Sequence, residues 1–554
     1  MKSLVSNVTT AVLFSMFSLV AGAQHYDELR DEKGKVRPQY EDVLPYIEAL
    51  SKKEKKEFLK DSLKAFGGDN MLSPLPRILT AEEYDQKIVK GVQQRGKAIM
   101  AFLKDHYSGK RTYGSVVPQN VIERIISRNN EIRYAGLIRP EVLAFPYGPD
   151  VIRDAKGTWR VIEDNPGFIG GPGDLKIAQK YLFENVPGLQ QAANARNPDL
   201  YYRQLAQSFK ERAEKMGGKP VLLLSGMASD SEDGRIIKIF AENGIEAVFP
   251  KKGDLRLTVE SDGVYTYSDK KGLKKTAEKV GFVILNGEHA WFDPTHPAAW
   301  ERGVIEEARE MLENSTSEKQ KAKIQAILDQ PRTPKQIHDL DELLERYADD
   351  PMRDLRKSTK SYHGLVDAIL AKKVATNYAP GVDFIGDKEF YIYVEDLIRH
   401  YLGEEPILKN IETVKFADNE GRLIPKTLDH VLENLKTFVV KRVDGRGGKS
   451  VWIGPKMTKE EVKSLRSQVL SEPDFYIAQK YTPPSILDGN IVDIRAISDV
   501  SNTKVTVANT GWGRGIPKDG DGKVNLSANG REFTILVREP VPPQVRMCRK
   551  AFAN

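Results

Sequence analysis

Apolar residues recur at helical spacing in Val43–Leu50, in Tyr84–Leu103 and in Val121–Ile126, among dense charges. This pattern predicts a helical region over residues 40–127. Residues 131–170 switch to strand-like alternation broken by turn residues. Lys219–Leu224 (KPVLLL) is the unbroken apolar run of a buried strand, followed by an amphipathic helix over about Gly234–Asn243 and a strand at Ile245–Phe249. Strand, helix, strand at this spacing predicts a small α/β unit. Residues 301–360 are charged, helix-forming and poor in aromatics, which predicts a helical insertion; a solvated helical hairpin is the reading such charge runs favour. From about residue 370, short strands, glycine-rich turns and amphipathic helices alternate to the end, with no internal repeat.

The first residues differ from all of this. Lys2 gives a short positive start, Ala11–Ala21 (AVLFSMFSLVA) is apolar, and Ala21-Gly22-Ala23 supplies an A-x-A pattern before Gln24. Residues 1–23 therefore read as a secretory signal, with an uncleaved anchor as the alternative. The expected location is periplasmic or secreted, with no stable membrane span after cleavage, since no other run reaches the ~18 apolar residues a span needs. The chain of 554 residues is 40% hydrophobic and 29% charged, ordinary globular composition for several domains. A net charge of +6, from 84 basic and 78 acidic residues, is too weak at this length to argue for nucleic acid. The one cysteine, Cys548, excludes an intramolecular disulfide, a cysteine-based zinc site and an iron–sulfur cluster. The eight histidines show no pair at metal-ligand spacing.

Candidate chemistry concentrates in two segments. In Pro149–Asn165 (PDVIRDAKGTWRVIEDN), β-formers flank the turn Asp154-Ala155-Lys156-Gly157. With a four-residue loop, Arg153 faces Thr158 and Asp150 faces Val161, so Asp150, Val161, Glu163 and Asn165 share one face. Two carboxylates and an amide are the hard oxygen ligands that Mg²⁺ prefers. A polar, solvent-facing hairpin has the same pattern, and a loop one residue different would break the set. The second segment is Thr437–Gly454 (TFVVKRVDGRGGKSVWIG). Lys441 ends an apolar strand, and Gly445, Gly447 and Gly448 let the backbone turn tightly and offer N–H groups to phosphate. Lysine beside such a loop supplies a point charge, although an ordinary glycine-rich hairpin would look alike. Val443 stands where a Walker A loop needs glycine, and Val451-Trp452-Ile453 reads as a strand where that loop needs a helix, so a P-loop is rejected. Phe475–Tyr481 is a strand able to present Gln479 and backbone groups to an adenine edge. Lys388, opening a helix over Glu389–His400, could reach phosphate or serve as a surface lysine.

The order of these pieces resembles the circularly permuted ATP-grasp family, relatives of glutathionylspermidine synthetase-like ligases, in which the metal hairpin precedes the lysines. The resemblance runs through Tyr26–Tyr40, through Pro76–Tyr107 with its PRI and GVQQR, and through Asp150–Asn165. It continues through Ala375–Leu408 with its Asp-Lys pair, Phe438–Pro455, Tyr476–Gln479, Val492–Arg495 (VDIR) and Val524–Asn529. It implies an α/β (α+β) fold holding ATP between two sheets. Residues 24–215 would be a helical region plus the metal hairpin, 216–300 a small α/β domain, 301–360 the insertion, and 361–554 the nucleotide-binding region. The implied roles are Lys388 and Lys441 on ATP phosphates, Gly445, Gly447 and Gly448 covering them, and Gln479 with the backbone at Tyr481 on adenine. Asp150, Glu163 and Asn165 would hold Mg²⁺, with Arg495 and Asn525 as further phosphate or metal contacts.

Three positions depart from that pattern. Pro166–Gly171 (PGFIGG) replaces an Arg-Thr-Pro-Ser-Gly-like run, Leu285-Asn286 replaces an Arg-Arg pair, and Arg235-Ile236 replaces a Glu-His pair. The nucleotide side is kept while the substrate side is rewritten. The expected activity is ATP-dependent joining of a small-molecule or peptide carboxylate to an amine. The alternatives are an exported non-catalytic binding protein on the same fold, and a phosphotransferase.

Overall fold

The computed structural model describes residues 25–540, apart from 69, 130–133, 135, 225–231, 250–254, 271–272, 275–276, 288, 294–295, 329–333, 348–361, 446–449, 525 and 527–529. The signal-like segment, Gly447, Gly448, Asn525 and Cys548 lie outside the described residues.

Strands from both halves of the chain build a nine-stranded large sheet. Asp150–Arg153 lies between Trp159–Glu163 and Asn490–Arg495; Trp512–Pro517 and Arg531–Arg538 extend the sheet beyond. The region predicted to be wholly helical contributes two strands to it. Met71–Leu72 and Arg77–Thr80 pair in parallel with Arg531–Arg538. Strands this short carry no periodicity of their own, and only pairing with the distant end of the chain defines them. The predicted helices flank them, the longest being Lys90–Tyr107 and Lys52–Ala65, with Gln119–Arg128 after them.

The small sheet is antiparallel, in the order Thr413–Lys415, Tyr476–Lys480, Phe438–Arg442, Val451–Ile453. Val451–Ile453 is a strand, as the rejection of a P-loop requires. Side chains alternate across the sheet. Val440 and Ala478 join Leu428 and Leu465 of the covering helices in a buried core, while Val439, Lys441 and Gln479 line a cleft facing the large sheet. The helix Lys459–Ser471 begins with a reciprocal capping box between Thr458 and Glu461, worth about 1 kcal/mol.

The small α/β unit forms as predicted: Lys219–Leu223, helix Glu232–Glu242, then Glu246–Val248 parallel to the first strand. Glu278–Leu285 pairs on its other side. The insertion is more than a hairpin. Pro297–Asn314, Glu318–Leu328 and Pro334–Glu345 share a core of Val304, Ile305, Ile324, Ile337 and Leu340. Arg309, on the first of these helices, meets Asp444 of the glycine loop at 3.2 Å. No helix among the described residues is long and apolar enough to cross a membrane.

Candidate functional site

The hairpin carrying the acidic residues departs by one position from the register its turn suggests. Arg153 faces Trp159 and Val151 faces Val161, because the loop closes at Thr158. Asp154 accepts from the N–H groups of Lys156 and Thr158, and Gly157 adopts φ +79°. Such a slip should carry Asp150 away from Glu163. A bulge restores the pair: Ile162 is the extra residue, and Asp150 stands opposite Glu163. The carbonyl of Ile162, released from the ladder, accepts from Lys441 Nζ at 3.0 Å and from Gln479 Nε2 at 3.3 Å. The bulge thus joins the large sheet to the small one.

Lys388 arrives from the far side. Asp387 caps the helix Lys388–Leu402, accepting from the Glu389 N–H at 2.8 Å. Both Asp387 oxygens accept from Arg128 at 2.9 Å. That fixed start aims Lys388 Nζ at Glu163, 2.9 Å away, and at the carbonyl of Gly445. Between the sheets lies a cavity of about 330 Å³ lined by Asp150, Glu163, Asn165, Lys441, Gln479 and Tyr481, among others. A chamber of about 270 Å³ adjoins it, with Glu163, Asn165, Arg495 and Arg514 in both linings and Gly445 at its roof. A larger open groove of about 540 Å³, around Asp154, Arg160 and Arg399, holds neither lysine and no glycine loop.

Every described residue of the predicted set except Lys388 lines the cleft or its chamber, and Lys388 reaches in through Glu163. Two of them are engaged differently from the resemblance. Asp150 gives one oxygen to Arg495 Nε at 2.8 Å and the other to Arg495 Nη2 at 3.0 Å, while Arg514 adds a contact at 2.9 Å. Its carboxylate anchors two arginines. The N–H of Tyr481 donates to the Thr437 carbonyl at 2.7 Å, which leaves the Tyr481 carbonyl and the Gln479 side chain on the adenine side of the cleft. Glu163 and Asn165 fit a Mg²⁺ site as hard oxygen donors beside the lysines, since that ion takes one or two protein oxygens and completes its shell with phosphate and water. Among the described residues, no three His, Cys, Asp or Glu side chains gather as a metal site by themselves.

The pattern reading missed Arg514, Asp493 and the buttress behind the hairpin. Arg514 donates to both Asp493 oxygens, at 3.1 and 2.6 Å. Its sequence signal is Gly513-Arg514-Gly515, an arginine between glycines in a strand. A Cβ at Gly513 would lie 2.3 Å from the Phe533 carbonyl oxygen. Asp164 is buried and receives Arg95 at 2.6 Å and the Tyr147 hydroxyl at 2.5 Å. Asp164 is thereby fixed between the two residues that face the cleft.

Electrostatics follow the pairing. Burial would raise the Glu163 pKa, but Lys388 and then Lys441 lower it below the ordinary carboxylate value. Burial likewise works against the Asp150 charge, and Arg495 and Arg514 outweigh it, holding the group well below the usual range. Asp493 goes the other way: burial pushes it up to about 6 despite Arg514. Burial lowers Lys441 to about 8, with Lys388 adding to the shift and Glu163 opposing it. The cleft therefore holds two adjacent lysines whose mutual repulsion an anion would relieve.

Two sheets closing on a lysine-lined cleft, with oxygen donors on the opposite wall, define a nucleotide-grasping fold. The sequence profile of circularly permuted ATP-grasp type 2 proteins matches residues 76–232 and 329–514, and the chain belongs to that family. A Frankia alni protein carrying the provisional name glutamate–cysteine ligase 2-3 is 26% identical over 477 residues, covering 82% of this chain. The chain spans only 46% of that relative's length. An uncharacterised Mycobacterium bovis protein is 23% identical over 542 residues, covering 94% of this chain and 85% of its own length. A solved glutathione synthetase-like effector from Globodera pallida, in its apo form, aligns with TM-score 0.47 and 12% identity, covering 89% of this chain and 99% of that one.

Arg95→Leu leaves Asp164 buried without its cation and should cost about 3–5 kcal/mol, read as a lower urea midpoint by tryptophan fluorescence. A wild-type midpoint would show that the buttress is dispensable.

Proposed function

We propose that the protein is an ATP-dependent carboxylate–amine ligase that forms an amide through an acyl phosphate. The observation that carries this reading is the meeting of Lys388, Lys441 and Glu163 between two sheets. The name borne by the Frankia relative, glutamate–cysteine ligase, supports the same class of chemistry.

In this reading ATP lies between the sheets, with adenine near Gln479 and Tyr481. Lys388 and Lys441 hold its phosphates, and the backbone at Gly445 covers them. Glu163 and Asn165 would hold Mg²⁺, which neutralises phosphate charge when bound. Arg495 and Arg514, kept rigid by Asp150 and Asp493, face the chamber where the carboxylate approaches. A carboxylate oxygen attacks the γ-phosphorus and ADP leaves. The nitrogen of a neutral amine then attacks the acyl carbon, the C–O bond to phosphate breaks, and the nitrogen loses a proton. Positive charge fixed around the phosphates offsets the repulsion between two anions, which is the main barrier to the first step. The reading of residues 1–23 as an export signal belongs to the same proposal.

Three measurements test it. Lys441→Ala should weaken Mg-ATP binding by calorimetry about 10- to 100-fold, the worth of one charge-assisted hydrogen bond, and abolish ADP release. Unchanged binding would remove Lys441 from the phosphate site. Lys441 is lowered to about 8, so between that value and its ordinary 10.5 the empty fold has released a proton that the unfolded chain keeps. Bound phosphates raise the pKa again, so Mg-ATP binding at a pH near that lowered value should take up protons. Calorimetry in buffers of different ionisation enthalpy reads this uptake, and the same uptake in Lys441→Met would contradict the assignment. For export, N-terminal sequencing of the protein from a secreting host should begin at Gln24; a chain retaining Met1 would refute cleavage.

A further inference from the structure

Beyond the chamber lies a smaller cavity of about 70 Å³. Phe168 and Ile169 wall it from the segment after Asn165, with Ile236 and Ile284 from the α/β unit and Ile497 from the large-sheet side. Phe168 also walls the chamber and stays 40% exposed, so this one side chain stands between the two spaces. The volume is about half that of a cavity that accepts a benzene ring, room for a slender aliphatic stem.

One charged side chain, Asp499, faces this apolar lining, and it is only 5% exposed. The cation beside it, Arg212, stops 3.7 Å away, beyond hydrogen-bond reach. Arg212 donates instead to the Thr376 carbonyl at 2.5 Å and leaves Nη1 without a hydrogen bond. A buried carboxylate held this loosely is not compensated for its lost hydration. Burial raises its pKa to about 6, and Arg212 and then Lys504 reverse only part of that shift. Buried groups left short of partners are where a ligand completes a site.

Strand pairing fixes where Asp499 sits relative to the reacting end. Arg495 faces Asp150, and Ser498 and Asp499 face Tyr147 and Pro146. The two pairings belong to separate sheets but keep one register across residues 496 and 497, where the Ala496 N–H meets the Pro149 carbonyl at 3.1 Å. Arg495, Ile497 and Asp499 therefore alternate onto one face, with Asp499 about 13 Å along the strand from Arg495. The face runs cation, apolar, anion.

Resting on the ligase reading, we propose that the carboxylate substrate is an elongated aliphatic zwitterion. Its carboxylate lies beside Arg495 in the chamber, its stem passes Phe168 and Ile497 into the cavity, and its terminal ammonium is received by Asp499. The ammonium supplies the hydrogen bonds that Arg212 does not reach to give, and a chain too short to span from Arg495 to Asp499 loses one of its two anchors.

Calorimetry tests this on the full chain saturated with Mg²⁺ and a non-hydrolysable ATP analogue. The probes are ω-amino carboxylates of about four to about ten carbons and the monocarboxylates of matching lengths. The expected result is an optimum length, with the ω-amino compound binding at least about tenfold tighter than its uncharged counterpart. Asp499→Asn, nearly isosteric, should erase that ratio while the analogue binds as before. Ile236→Trp should fill the cavity and weaken both series, and retained analogue binding shows that the variant is folded. Equal affinity for the two series, or an Asp499→Asn ratio equal to wild type, would overturn the proposal. Phosphate release from ATP is read separately. Binding that follows the Asp499 pattern without phosphate release keeps the zwitterion site and sinks the ligase reading. Phosphate release with uncharged carboxylates alone keeps the ligase reading and sinks the zwitterion site.

Discussion

One extra residue in one strand governs the cleft. The bulge at Ile162 frees a carbonyl that takes both Lys441 and Gln479, and it turns the next residue, Glu163, toward Lys388. Four successive residues then do four different things. Ile162 ties the sheets, Glu163 meets the lysine, Asp164 is buried on Arg95, and Asn165 lines both cavities. A regular ladder would put Ile162 opposite Asp150 and send Glu163 to the other face. Bulges re-aim side chains next to active sites, and this one also supplies an acceptor to the facing sheet.

Charge in the cleft is arranged in two neighbouring sets. Lys388 and Lys441 act on Glu163; Arg495 and Arg514 are held by Asp150, which stands opposite Glu163 in the hairpin, and by Asp493. The arginines are oriented by carboxylates that neutralise them, so they are fixed in direction before any anion arrives. Burial lowers the Lys441 pKa, Lys388 adds to that shift, and Glu163 and Asp150 offset only part of it. Preorganised charge of this kind needs no rearrangement at the moment of reaction. The insertion extends the arrangement outward through Arg309, which reaches Asp444 beside the glycine loop.

Much of this was legible from spacing. The strands carrying Lys441 and Gln479 and the α/β unit followed from their apolar runs, while the shared face of Lys441 and Gln479 came only with the pairing of their strands. The shared face of Asp150 and Glu163 was reached through a register that is one residue off, and only the bulge makes that outcome true. No local pattern encodes a bulge that depends on a facing sheet. The arginines on Asp150 come from strands far along the chain, so the sequence near Asp150 shows a carboxylate free for a metal where the fold shows one already paired. The strands Met71–Leu72 and Arg77–Thr80 were read as helix because two to four residues give no period, and their partner is the end of the chain. The insertion read as solvated because its charges outnumber its apolar residues, yet spacing alone hid a small core of its own. The departures at Arg235-Ile236 and Leu285-Asn286 also acquire a place. Arg235 pairs with Asp174 at 2.5 Å, while Ile236, Leu285 and Asn286 wall the apolar cavity.

The proposed Mg-nucleotide site between the two sheets, on Lys388, Lys441 and Glu163, is open to a crystal structure of the full chain with Mg²⁺ and a non-hydrolysable ATP analogue. The triphosphate is expected between the two lysines, with Glu163 on the metal and adenine beside Gln479. A nucleotide bound elsewhere, or a triphosphate that leaves the Glu163–Lys388 pair undisturbed and touches neither lysine, would contradict it.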